Sequence, residues 1–70
     1  MPYVNIKITD ENVTTEQKAR LVKGVTQLLV EVLDKNPATT HVIIDEVKTE
    51  NWGIGYDLVS DLRKKATQKE

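Results

Sequence analysis

Residues 40–47 read Thr40-His41-Val42-Ile43-Ile44-Asp45-Glu46-Val47. Successive strand residues point to opposite faces, so Val42, Ile43 and Ile44 in a row predict a strand with apolar side chains on both faces. Just upstream, Pro37 disfavours helical geometry in the residue before it and predicts a helix end near Asn36. That helix opens at Thr14, with Gln17 three residues on in capping-box spacing. Between these ends Leu21, Val22, Val25, Leu28, Leu29, Val32 and Leu33 recur in steps of one, three and four, an apolar stripe at helical period. Lys23, Gln27, Glu31 and Asp34 fall largely on the other side, and Val30 is an apolar residue off the stripe, a candidate subunit contact. Roughly twenty helical residues span about 30 Å. Before the polar loop Thr9-Asp10-Glu11-Asn12, the segment Tyr3 to Ile8 alternates: Val4, Ile6 and Ile8 against Tyr3, Asn5 and Lys7, a half-buried strand. Strand, helix, strand predicts an α/β fold, a single β-α-β unit with parallel strands and a right-handed crossover.

Downstream, Lys48 to Asn51 is polar, and Trp52-Gly53-Ile54-Gly55 predicts a glycine-flanked turn or short hairpin. Leu58, Val59 and Leu62 form a weak last segment, and residues 63–70 read as a frayed, charged tail. One domain, residues 1–70, accounts for the chain. Seventy residues bury only roughly 60% of the surface that the unfolded chain exposes. Disulfides, a metal or oligomerisation usually compensate. There is no cysteine and one histidine, which leaves self-association. One helix covers one sheet face, so the other face needs a cover from outside the chain.

Composition narrows the function classes. Ten Lys and Arg against eleven Asp and Glu give a net charge of −1, without general attraction for nucleic acid or an anionic membrane. The longest apolar runs are three residues, Leu28-Leu29-Val30 and Val42-Ile43-Ile44, too short for a membrane span or a secretory signal. A cytoplasmic protein is expected. Neither a metal nor a cofactor is called for, and the expected partners are a small-molecule substrate and further copies of the chain.

Pro2 is the first candidate for chemistry. Removal of an initiator Met before a small residue would leave it a free secondary amine. An α-amino group titrates at about 7.7–8.0 in model peptides, and burial favours its neutral form. Such a group serves as a general base or as a nucleophile toward a carbonyl.

Pro2, Glu16-Gln17-Lys18 at the helix start, Val42-Ile43-Ile44-Asp45-Glu46 in the second strand and Trp52-Gly53-Ile54-Gly55 occur in an order that resembles the 4-oxalocrotonate tautomerase family, over residues 2 to 64. The resemblance implies a β-α-β fold assembled as a homohexamer, a trimer of dimers. It implies a tautomerase in which the amino-terminal proline moves a proton between oxygen and carbon of a small enol or unsaturated 2-oxo acid. Trp52 stands where the family has an aromatic residue lining the site; a buried anchor at a subunit interface is the other role open to it.

The departures are informative. Family members use two arginines on the substrate's carboxylates and carbonyl. Here the loop after the first strand offers Asp10, Glu11, Asn12 and Val13, and the second-strand position aligns with His41, which lacks the bidentate fork of arginine. His41 is therefore either a substrate-binding candidate or a structural residue. Tyr56 follows Gly55 where Gly-Gly is common, closing over the site or packing at an interface. Arg20 and Arg63 read as surface ion-pairing residues that a neighbouring subunit could bring to a site. Lys7 reads as a solvated residue or a cation near Pro2. Asp45 and Glu46, being adjacent, face opposite sides and form no carboxylate pair. The missing arginines also leave open a non-enzymatic oligomeric module that keeps only the fold.

Overall fold

The alternation at the amino terminus becomes strand β1, Tyr3–Thr9, and the apolar run becomes strand β2, His41–Val47. A computed structural model of the protein describes residues 1–68. Helix α1, Thr15–Leu33, joins the two strands. They pair in parallel, with Tyr3 opposite His41, Ile6 opposite Ile44 and Thr9 opposite Val47. This is the expected β-α-β unit. Val4, Ile6 and Ile8 share one face with Val42 and Ile44, and all five are half-buried. Lys18 of α1 donates to Glu46 of β2 at 2.7 Å, which fastens the start of the helix to the end of that face.

Among the described residues, no helix covers the opposite face. Ile43 is 45% and Tyr3 64% exposed there. Its polar members bond to one another: Asn5 Nδ2 donates to Asp45 Oδ2 at 2.8 Å, and Lys7 Nζ approaches the same oxygen at 3.0 Å.

Helix α1 begins as its sequence specifies. Gln17 N–H donates to Thr14 Oγ1 at 3.1 Å, and Thr14 N–H to Gln17 Oε1 at 2.9 Å. It ends three residues before Asn36. Asp34 turns left-handed, φ 53°, and its N–H closes on Val30 O at 3.0 Å. Asn36 and Pro37 instead begin a separate short turn, Pro37–Thr39, where Asn36 Oδ1 accepts from Ala38 N–H at 2.9 Å. Val30 also differs from expectation. It is half-buried together with Val25, Thr26 and Leu29, whereas Leu28 and Val32 stand 57% and 68% exposed. The apolar stripe is wider than one helix–sheet contact, and the four half-buried residues at helical spacing leave Leu28 and Val32 to the outside.

A second short turn, Thr49–Asn51, leads to the hairpin of β3, Gly53–Ile54, and β4, Asp57–Leu58. Gly55 takes φ 62° and Tyr56 does not take a positive φ. A glycine first and an ordinary residue second is the pattern of a type II′ hairpin turn. Val59 N–H donates to Trp52 O at 2.8 Å and closes the unit.

Helix α2, Val59–Gln68, then runs through most of the segment expected to be a frayed tail. Val59 and Leu62, three apart, turn inward, while Arg63 reaches Glu11 at 3.2 Å. That anchorage holds a helix whose remaining residues are mostly polar. Lys69 and Glu70 lie outside the described residues.

Little of this chain is buried. Val59, 7% exposed, is the one buried apolar residue among the described residues. The radius of gyration is 16.2 Å, with extents of 49 × 25 × 17 Å; a compact domain of this length has a radius of about 11 Å.

Candidate active site

Pro2 sits directly ahead of β1. Its carbonyl accepts the His41 N–H at 3.0 Å, so the parallel ladder extends one step past Tyr3 and fixes the proline's backbone at that end of the sheet. The Pro2 residue is half-buried. His41 pairs with Tyr3 and shares its face. Pro2, one residue earlier, belongs by alternation to the helix-covered side. The two candidates are thus joined through backbone, with their side chains assigned to opposite faces.

Trp52 lies at the other end. It lines a hollow of about 310 Å³ with Lys7, Val47, Asn51 and Gly53. Val47 ends β2, and the six steps from His41 to Val47 span about 20 Å. One chain therefore does not bring Trp52 to Pro2. Lys7, five strand steps from Pro2, is likewise about 16 Å along β1 and forms a surface pair with Asp45. It is not beside the proline of its own chain. Tyr56 is fully exposed at the hairpin tip.

The loop after β1 is tied at both ends. Asp10 N–H donates to Val47 O at 2.8 Å. Glu11 accepts from Thr9 Oγ1 and pairs with Arg63. The Thr9 hydrogen bond first, and the Arg63 charge second, hold the Glu11 carboxyl below the usual range. On the sheet, the Asn5 amide first, then Lys7, do the same for Asp45. Asp45 and Glu46 face opposite sides, as expected, each with its own lysine.

Arg63 is thus the surface ion-pairing residue that the sequence suggested. Arg20 is not: among the described residues it has no acidic partner. It lines a cleft of about 480 Å³ with Val13, Gln17 and Leu21. The sequence carries a trace of this cleft in the apolar Val13 and Leu21 flanking Gln17, but nothing in the periodicity distinguishes Val13 from an ordinary loop residue. Among the described residues, no group of three or more His, Asp or Glu is set to hold a metal ion, and no helix is long and apolar enough to cross a membrane.

Comparison with known proteins adds a consistent set of likenesses. The family model described as tautomerase enzyme matches residues 2–62. A probable tautomerase of Dickeya dadantii is 63% identical over 67 residues, covering 96% of this chain and all of the relative. A probable tautomerase of Helicobacter pylori is 51% identical over 67 residues, 93% of this chain and 98% of its own length. Among solved structures, DmpI from Helicobacter pylori matches with a TM-score of 0.83 at 49% identity, over 90% of this chain and 97% of that one. A heterohexameric 4-oxalocrotonate tautomerase from Chloroflexus aurantiacus matches at 0.77 and 30% identity, over 90% of this chain and all of that one.

Proposed function

The chain belongs to the tautomerase family, and from that premise we propose that it is an isomerase of small enols or unsaturated 2-oxo acids with Pro2 as general base. The observation that carries this reading is the tether at the head of β1, the 3.0 Å bond from His41 N–H to Pro2 O. It immobilises the residue whose nitrogen becomes an amine once Met1 is removed. A neutral secondary amine at that point takes the enol hydroxyl proton, and the resulting ammonium returns a proton to carbon. The negative charge that develops on the substrate oxygen needs nearby donors. His41 is a substrate-binding candidate at the same end of the sheet, and Trp52 supplies an apolar wall.

Because Pro2 and Trp52 are separated by the length of the sheet, a site containing both is built from two chains. The surface supports association. The chain exposes 5747 Å², against about 4,400 Å² for a compact monomer of this mass. The excess, about 1,300 Å² per chain, is of the size that permanent interfaces cover. A homohexamer, a trimer of dimers, is the proposed assembly; one relative of similar fold is a heterohexamer.

Ketonisation of phenylenolpyruvate, followed by ultraviolet absorbance, tests the assignment, with intact mass confirming loss of Met1. Pro2→Ala is expected to lower kcat by roughly 100-fold or more, the ordinary scale of general-base catalysis. Equal rates for the two proteins would remove Pro2 from the chemistry, and no turnover by either would favour the non-enzymatic module.

A further inference from the structure

We infer that Arg20 binds the substrate carboxylate, in the cleft that it lines with Val13, Gln17 and Leu21; this rests on the tautomerase reading above. Gln17, Arg20 and Leu21 recur at three and four residues, so they share one face of α1, and Val13 lines the open cleft from the loop. Three other cations in the structure already hold carboxylates: Lys7 with Asp45, Lys18 with Glu46 and Arg63 with Glu11. Arg20 has none among the described residues. A guanidinium is charged at every working pH, and its fork matches a carboxylate in two parallel hydrogen bonds. Val13 and Leu21 beside it suit an apolar body, and the Gln17 amide adds a neutral donor. Together they describe a small carboxylate with an unsaturated or aromatic tail, which is what the enol of a 2-oxo acid is.

The placement agrees with a site shared between chains. Lys18, two residues before Arg20, is bonded to Glu46 next to the end of β2. The cleft is therefore at the Trp52 end of the sheet and on the helix-covered side. Pro2 belongs to that same side at the opposite end. Trp52's hollow with Lys7 and Val47 opens on the other face of the sheet, so an arrangement of two chains that carries Pro2 of one over this end of the other's sheet reaches the cleft from the helix-covered side. Arg20 then supplies the charge that the loop after β1, without an arginine, does not.

The test compares phenylenolpyruvate with its methyl ester, which lacks the charge, in the wild type, Arg20→Gln and Arg20→Lys. Arg20→Gln is expected to raise KM for the acid about 10- to 100-fold, the scale of a lost charge-assisted hydrogen-bond pair, and to change KM for the ester far less. Arg20→Lys, a point charge without the fork, is expected to fall between. Equal effects on acid and ester, or none on either, would overturn the assignment. Titration of the assembled protein with 3-phenylpropionate gives a readout independent of turnover: the Arg20 Nε–H resonance shifts if the inference holds and stays put if it does not. Loss of activity in Pro2→Ala with an unmoved Arg20 resonance would retain the base and discard the anchor. A shifted resonance with an unaffected Pro2→Ala rate would do the reverse.

Discussion

Asp45 shows how one side chain records the chemistry of the uncovered sheet face. Its carboxylate accepts from the Asn5 amide at 2.8 Å and from Lys7 at 3.0 Å, and the amide is the larger cause of its lowered pKa. The stabilisation belongs to the ionised form. It is present in full above the ordinary aspartate value of about 3.9 and is lost as the pH falls through the lower folded value. Asn5→Ala is expected to return the Asp45 titration, read by carboxyl-carbon NMR, toward the ordinary value. Thermal melts of this variant and the wild type should differ at neutral pH and converge once Asp45 is protonated in both. An unchanged Asp45 titration would show that Lys7 alone sets it. The asparagine's part is hidden from the sequence, because its bond depends on the register that puts Asn5 opposite Ile43, two residues from Asp45 on the same face.

At the scale of elements, capping decides where α1 starts and stops. Both hydrogen bonds of the Thr14–Gln17 box are formed, so Thr14→Ala is expected to destabilise the fold by about 1 kcal/mol, read as a lower urea midpoint with an unchanged slope. A change below a few tenths would mean that association, not the cap, fixes the helix start. This end was legible because the capping residues are neighbours in sequence. The other end was not. Pro37 disfavours helical geometry at Asn36, but the chain leaves the helix earlier, at Asp34, where a left-handed residue lets Asn36 cap its own turn. Helix α2 was illegible for a related reason. Its sequence is mostly polar, and what holds it is the buried Val59 together with Arg63 reaching Glu11, across more than fifty residues of chain. The strands, by contrast, were readable to within a residue, since alternation and β-branching are local properties.

Over the whole molecule, the two halves of the candidate site lie apart in one chain. The sequence gives their residue types, Pro2 and Trp52, but their separation follows only from the parallel register: Pro2 is bonded at the His41 end, while Trp52 shares a hollow with Val47. If each site takes Pro2 from one chain and Trp52 from another, two defective variants can repair each other. Pro2→Ala and Trp52→Ala are each expected to lose most activity as pure assemblies. Unfolded together in denaturant at equal amounts and reassembled, they form mixed oligomers in which about one site in four receives an intact proline and an intact tryptophan, the fraction that random assortment over shared interfaces gives. Recovery of about a quarter of wild-type activity, absent when the variants are reassembled separately and then combined, is the expected outcome. A site contained in one chain gives no recovery under any mixing, because each chain then carries its defect into its own site.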